Sequence, residues 1–524
     1  MVRKIVYAVF IGIIYLIYAR FVLTPHLYKN FSLIDDGQST KYGYYLRGCF
    51  VERSCSGFKT QVMDMESGRS RLGYWLVQGI LYQGRGLNAQ FQHELRIYGV
   101  GLIIVILLAL SCLAAGSNFA AILLAAAILF TNYSFSENII RLGTVEPYQV
   151  VFLGLFSPIF LNLRTLFKKR VLLGFLVSII ILIFCLILKE TSVVILPALL
   201  VLGLLFPEAF NRKLMIALII ISGAVFLLAK YIFSGAGIGA TYVSDYKVEI
   251  KFMFQNAKNF ITLLLNSLSP FPKIVAIVFI LTFIFKKLRR DIFNHNLVYW
   301  FMIFALSTAV LFPWKYVLDR YLLISIFSFC VLLSIVITKV LKPLEKLSMF
   351  SWKRKIALYF IFFLGMANLF FRGAPINIVR TINYRNWFAL FTEFESDQVK
   401  EISKYKDATV YINAKNLMDN WEIIYEIPLH LEYFYDGKPE VVRLEEGPIP
   451  KEGYLFTRPS LAPVISLDAL QKSKYQLLES RSYSVLQIDP ISFREMFKLR
   501  PIQAFKNPPL LKEGFNYYWE IRKL

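Results

Sequence analysis

Two adjacent carboxylates, Asp35 and Asp36, stand in the stretch NFSLIDDGQSTKYGYYL, just past the apolar run that opens the chain. A carboxylate so close to a membrane-length segment suits one plain task, taking the proton of a hydroxyl as it attacks. Its bland alternative is a turn or helix cap. Other acids and bases follow other apolar runs. NYSFSENIIRLGTVEPYQ carries Glu137, Arg141 and Glu146, LKETS carries Lys189 and Glu190, and FPWKYVLDRYL carries Lys315, Asp319 and Arg320. Arg and Lys at such depth suit a phosphate, Arg through its bidentate fork and Lys as a point charge. Any one of these residues reads equally well as a solvated helix end, and an interfacial lysine such as Lys315 commonly just snorkels. Acids and bases from four remote stretches on one membrane face are harder to dismiss.

Other chemistries find no support. The four histidines, His26, His93, His295 and His430, do not cluster in the sequence, so neither a His-rich metal site nor a Ser-His-Asp triad is indicated, and the identity of any metal stays unknown. The GAGIGA run (235–240) lacks the Lys-Ser/Thr of a phosphate loop and reads as a flexible connection. Cys112, Cys185 and Cys330 sit in apolar runs as packing residues, whereas Cys49 and Cys55, in CFVERSC, are a disulfide candidate in an oxidising outer compartment.

The elements that must position these residues are membrane helices. Of 524 residues 57% are hydrophobic and only 18% charged, with mean hydropathy +0.54, against about 25% charged in soluble domains. The pattern predicts a polytopic α-helical membrane protein with about 11 transmembrane helices, near 5–23, 98–116, 118–132, 147–163, 171–188, 192–207, 214–231, 273–286, 297–313, 321–340 and 356–371. The first run has no small-residue cleavage pattern after it and reads as a retained helix. The loops RTLFKKR, NRK, KKLRRDIFNHN and KVLKPLEKLSMFSWKRK all fall on one side if the N-terminus, with Arg3 and Lys4, is inside. Much of the net charge of +23 lies in those inner loops, facing an anionic leaflet, and no nucleic-acid motif accompanies it. The expected partners are therefore membrane lipids and no nucleic acid.

The spans are nearly free of ionisable residues, with Arg20, near the outer end of the first helix, as the exception. Carriers and pumps keep charges at mid-membrane despite a cost of about 2.5–3.5 kcal/mol or more each. Charges gathered at outer helix ends instead suggest a site on the extracytoplasmic surface of a plasma or inner membrane. Without nucleotide sugars or ATP outside, a group-transfer enzyme there needs a donor carried on a lipid. Such a donor requires one base and a basic cradle for its phosphate.

These motifs resemble the GT-C fold integral-membrane glycosyltransferases, the class that includes protein O-mannosyltransferases, aminoarabinose transferases and arabinosyltransferases. LIDDGQS is similar to the acidic pair that this class carries after its first helix, RLGTVEP to its Arg-then-acid second outer loop, LKETSVVILP to a Lys-Glu at an outer helix end, and DRYLLIS to a late Arg-Tyr. The resemblance covers residues 5–372. It implies a first outer loop, 24–97, with an interfacial helix near 69–83, where RSRLGYWLVQGILYQ carries apolar residues at helical spacing. It implies a polyprenyl-phosphate-sugar donor and a glycan, lipid or protein acceptor. Asp35 or Asp36 would be the base, with Asp35 the first choice. Arg141, Lys189, Arg320 and Lys315 would hold the donor phosphate. Glu146, Glu137 and Glu190 would meet the acceptor or a cation; some relatives use a divalent cation and others none. Two other classes compete: an O-antigen polymerase or ligase, whose large outer loops come late in the chain, and a lipid or glycan transporter (flippase), which predicts paired repeats and broken helices.

The outer loop 232–272 reads as an interfacial helix and a lid over the donor groove, or as a merely structural loop. Past Arg372 the hydropathy collapses. Residues 373–395 read as a linker, and 373–524 as a small extracytoplasmic α/β domain beside the 1–372 transmembrane domain. Strands are expected at 407–414, 439–445, 453–459 and 483–489, and helices at 420–437 and 466–473; the tail FNYYWEIRKL stays unassigned.

Overall fold

A computed structural model describes the chain apart from residues 1, 25–28, 33–35, 52–54, 57–71, 86–87, 168–169, 211, 234–248, 269, 274, 278–292, 346–351, 415–420, 436–438, 445–449, 460–462 and 512–513. The first apolar run forms α1 (Val2–Tyr18) and continues as a π-helical turn, Ala19–Leu23. The stretch between the first and second apolar runs contributes α2 (Asp36–Val51) and α3 (Leu72–Arg85). Then come α4 (Ala89–Ala114), α5 (Phe119–Thr131), α6 (Tyr133–Ile140) and α7 (Glu146–Leu161). The chain goes on through α8 (Val171–Leu188), α9 (Glu190–Leu205), α10 (Arg212–Phe233), α11 (Ile250–Leu268) and α12 (His295–Ala309). A 3-10 turn at Asp319–Leu322 opens α13 (Leu323–Glu345).

Among the described residues five stretches are long and apolar enough to cross a membrane: Ile5–Leu23, Ala89–Ala114, Val171–Leu188, Arg212–Ala229 and Asp319–Val340. This is an integral membrane protein by that measure. Two bent pairs, α5 with α6 and α11 with Phe271–Ile277, bring the number to seven. The figure of eleven is not reached, because α7 and α9 are apolar but short and α12 has only 15 residues. The stretch expected at 273–286 falls largely outside the described residues. Burial orders the helices. Asp319–Val340 is 89% enclosed and forms the axis of the bundle, whereas Arg212–Ala229 is 22% enclosed and turns Ile216, Ile220, Leu227 and Leu228 outward, as lipid-facing positions do.

Asparagines set the breaks. The α5–α6 pair bends by 58°, because the Asn132 side chain accepts from the Ser134 amide and starts a new helix where α5 stops. Asn118 and Asn294 cap α5 and α12 in the same way.

The linker expected at 373–395 is instead helix. A single 51-residue helix, α14 (Trp352–Ile402), runs from the last apolar run through that stretch, with Pro375 in its interior. Hydropathy misses it because polar residues are interspersed with its apolar ones, and several of them make contacts. Asn377 donates to the Ser267 carbonyl, Arg385 to that of Val22, and Trp387 to the Tyr517 hydroxyl. Its apolar residues serve three clusters: Phe388 belongs to the bundle core, Phe391, Phe394, Val399 and Ile402 to the C-terminal one, and Val379 packs with Ile488, Phe493 and Ala504.

The C-terminal part holds a five-stranded sheet of order β2-β1-β3-β5-β4, with β1 (Thr409–Asn413), β2 (Glu440–Arg443), β3 (Tyr454–Thr457), β4 (Gln476–Val485) and β5 (Phe515–Lys523). β1 runs parallel to β2 and β3, while β5 is antiparallel to β3 and β4. Helices α15 (Trp421–Phe434) and α16 (Leu467–Gln471) agree with expectation. Two expectations need correction. The strand placed at 483–489 lies earlier, at 476–485, and the unassigned tail is β5, whose Trp519 and Ile521 are buried in the C-terminal core. Its pattern hides this, because Trp519 to Arg522 are all buried and no alternation marks the strand.

Candidate active site

The ends of four helical segments converge. α6 is short because its chain must turn back, and Arg141 stands at its C-terminal cap, its amide bonded to the Glu137 carbonyl. The following loop, 141–145, is clamped from two sides. From α4, the buried Arg96 donates to the Asn138 carbonyl and to both the carbonyl (2.6 Å) and hydroxyl (2.7 Å) of Thr144, with its guanidinium over the Tyr148 ring at 4.5 Å. From α3, the Tyr74 hydroxyl donates to the Gly143 carbonyl and the Gln78 amide to that of Leu142. Pro147 then pre-sets the first turn of α7, which fixes Glu146 at its start.

Glu146 meets Lys189, which follows α8. Nζ lies 2.5 Å from Oε1, and the two residues are 8% and 4% exposed, lysine first. The same ammonium stands 4.8 Å from the Tyr321 ring centre. Arg320, half-buried on the 3-10 turn before α13, lies 5.3 Å from the centre of the same ring and reaches the Tyr321 hydroxyl at 3.5 Å. The Arg320 carbonyl accepts from Asn138, which ties this turn to α6. The charges of Arg320, Asp319, Arg141 and Glu146 all act on the Glu137 carboxyl. Asp319 pairs with Arg380 of α14 at 2.9 Å, and that guanidinium lies over the Tyr133 ring at 4.1 Å. Glu146 is paired with Lys189 and Asp319 with Arg380, and the charges of Arg141 and Arg320 both act on Glu137. Arginines placed so are suited to an anion such as a phosphate.

Three remote stretches singled out in the sequence are thus brought together: Glu137, Arg141 and Glu146; Lys189; and Asp319 with Arg320. Glu190, beside Lys189, is half-buried. Lys315 is exposed, its ammonium 5.2 Å from the Tyr316 ring centre. Asp35 lies outside the described residues, and Asp36 is the first residue of α2. That helix is packed onto α3, and Leu46, Tyr74 and Trp75 share a cluster with Val145, Tyr148 and Leu188, the neighbours of Glu146 and Lys189. Gly73 allows this approach: a Cβ there would stand 2.9 Å from Ile187 Cγ1. In the helix expected near 69–83, Trp75 is buried in protein while Ile80 is exposed.

The disulfide candidate pairs: Cys49 and Cys55 are bonded, with Cα atoms 4.4 Å apart. Among the described residues no three His, Cys, Asp or Glu side chains converge as metal ligands would. In the lid candidate, α11 buries Asn256, Phe260 and Leu264, and Asn256 donates to the Trp314 carbonyl. Its opposite face exposes Ile250, Phe254, Ile261 and Leu265; the rest of that loop up to residue 248 falls outside the described residues.

Arg96 and Arg380 were missed by the sequence reading. Arg96 had a signal, a charge set where an apolar span begins, in HELRIYG. Arg380 had none, because it sat in the supposed linker.

No protein-family model matches this chain, and no curated protein does. Among solved structures it is similar to two crystal structures of ArnT from Cupriavidus metallidurans, at 12% sequence identity. The structure bound to undecaprenyl phosphate aligns over 91% of this chain and 96% of ArnT with a TM-score of 0.49. The apo structure aligns over 90% and 95% with a TM-score of 0.48. Likeness at that level assigns neither a family nor an activity.

Proposed function

We propose that this protein is a membrane glycosyltransferase that moves a sugar from a polyprenyl-phosphate carrier to an acceptor hydroxyl on the extracytoplasmic face. The observation that carries this reading is the convergence of Arg141, Arg320 and the Lys189–Glu146 pair around Glu137 at the ends of apolar helices. An apolar tail lying among the helices would bring its phosphate to that depth. Arg320 and Arg141 hold the phosphate, and Lys189, oriented by Glu146, adds charge from the side of Tyr321. Lys315, being exposed, is left a lesser part at the rim.

In the proposed reaction the acceptor oxygen attacks the anomeric carbon opposite the phosphate. The carbon–oxygen bond to the phosphate breaks, and the polyprenyl phosphate leaves with the bonding pair, its charge met by the arginines. The acceptor proton passes to Asp35, and Asp36 positions the acceptor or orients its neighbour. The configuration at the anomeric carbon inverts. Glu137 and Glu190 stand on the acceptor side of the scheme. The C-terminal unit, residues 373–524 with the end of α14, lies on the same membrane side as Asp35. The test is turnover of a labelled polyprenyl-phosphate sugar by the purified protein in detergent. A transporter of the same lipid would bind it without forming a glycosylated product.

A further inference from the structure

One corner of the C-terminal unit turns back along α14. After β4 the chain forms α17 (Pro490–Leu499) and then α18 (Pro501–Lys506). Asn383 of α14 donates to the Ile488 carbonyl and accepts from the Ile488 amide, at 2.9 and 2.8 Å. Val379 packs with Phe493 and Ala504, and the Phe371 ring lies 6.0 Å from that of Phe497. α17 therefore runs antiparallel to α14, from the level of Asn383 to that of Phe371.

Two contacts fix the depth of that path. Arg380 pairs with Asp319, the first residue of the span Asp319–Val340. Arg385 donates to the carbonyl of Val22, beside the end of the span Ile5–Leu23. From Arg380 back to Phe371 is about 13 Å along the helix axis. Phe371 closes the uncharged run IALYFIFFLGMANLFF (356–371), and its neighbour Phe370 packs on the bundle core. The far end of α17 thus lies beside the spans, past the level at which two of them end.

What that end exposes suits a bilayer boundary. Leu499 is 83% exposed, more than any other large apolar residue among those described. Phe505, set against the rings of Phe493 and Phe497, is 50% exposed. Lys498, Arg500 and Lys506, all exposed, flank them. The acids of the corner are engaged: Asp489 caps α17, and Glu495 holds Arg494 and Lys498. Arg500 donates to Gln503, and neither it nor Lys506 has an acidic partner among the described residues. At a membrane surface apolar side chains gain by burial, while long cationic ones stretch to anionic headgroups.

We infer that the α17–α18 corner is a membrane foot. Leu499 and Phe505 enter the boundary of the bilayer that the protein spans, and Arg500 and Lys506 bind anionic lipid headgroups there.

The full chain in nanodiscs tests this, with a nitroxide carried by Leu499→Cys, Ile491→Cys or Lys406→Cys. The free cysteines are buried and Cys49 is bonded to Cys55, so the label goes to the introduced thiol. Discs are made of phosphatidylcholine, with or without phosphatidylglycerol. Collision with oxygen relative to a water-soluble nickel chelate should be on the order of tenfold higher at 499 than at 406, since hydrocarbon admits oxygen and excludes the chelate. Position 491, at the other end of α17, should read closer to 406. Arg500→Glu with Lys506→Glu should lower the ratio at 499 by about twofold or more in discs with phosphatidylglycerol, and by less without it.

A ratio at 499 no higher than at 406 overturns the foot. So does shielding of 499 from both reagents, which a second copy or another protein seated on the tip would cause. A charge-reversed variant that matches its parent in both discs overturns the headgroup contact. No arm depends on sugar transfer.

Discussion

Lys189 lends itself to a worked perturbation. Its ammonium lies 2.5 Å from Glu146, with both residues almost wholly enclosed. Lys189→Met keeps most of the volume and leaves a buried carboxylate without its partner. Removing one member of a buried pair costs about 3–5 kcal/mol. The charge of Arg320 also reaches Glu146, which puts the expected cost near the lower end, about 3 kcal/mol. The double variant Lys189→Met with Glu146→Gln removes both charges and should return to within about 1 kcal/mol of the parent. The two single variants and the double close a cycle with a coupling of about 2–3 kcal/mol. Unfolding by sodium dodecyl sulfate in mixed micelles reads all four proteins. If each single variant costs under about 1 kcal/mol and the costs simply add, the pair is solvated and the reasoning fails.

Three further outcomes follow. Arg320→Ala should weaken binding of the donor phosphate more than Arg320→Lys, because a positive head survives only in the second; titration with a polyprenyl phosphate decides it, and equal, parental binding by both would move the cradle elsewhere. Burial in α15 pulls the His430 ring down to about 3, while the unfolded chain protonates near 6.5. The folded value is depressed, so the stability it contributes is whole above about pH 6.5 and drains away as pH falls towards 3, by about 2 kcal/mol between pH 7 and 5. His430→Gln should flatten that slope, and an unchanged slope would contradict the assignment. Finally, thiols introduced at the exposed positions Gln90 and Lys406 should react with the same impermeant reagent from the same side of the membrane, and protection of one alone would refute the shared face.

The sequence made the membrane class legible because a bilayer imposes length and apolarity on every span, and α1, α4, α8, α10 and α13 carry both. It made part of the candidate site legible for a related reason: with so few charges in the chain, those at helix ends stand out, and Glu137, Arg141, Glu146, Lys189 and Arg320 lie near one another, while Asp35 falls outside the described residues. What it hid was whatever averages away. The second half of α14 looked like a linker because polar residues such as Asn377, Arg385 and Asn386 dilute its apolar ones, and Arg380 vanished with it. β5 was hidden because its buried stretch, Trp519 to Arg522, includes the charged Glu520 and Arg522, which bond to each other. No local apolar pattern marks the 58° bend at Asn132 that separates α6 from α5. The hydrogen bond from Ser32 to Glu395 depends on tertiary packing across almost the whole chain, which no local pattern encodes.

The most direct test of the central claim is the stereochemistry and rate of sugar transfer by the parent and by Asp35→Asn. That substitution keeps shape and removes basicity. General-base catalysis predicts a loss of about 10²–10⁴ in turnover with donor binding largely intact, and a product inverted at the anomeric carbon. A larger loss at Asp36→Asn would exchange the two roles and leave the mechanism standing. Near-parental turnover in both single variants, or a product of retained configuration, would contradict the account.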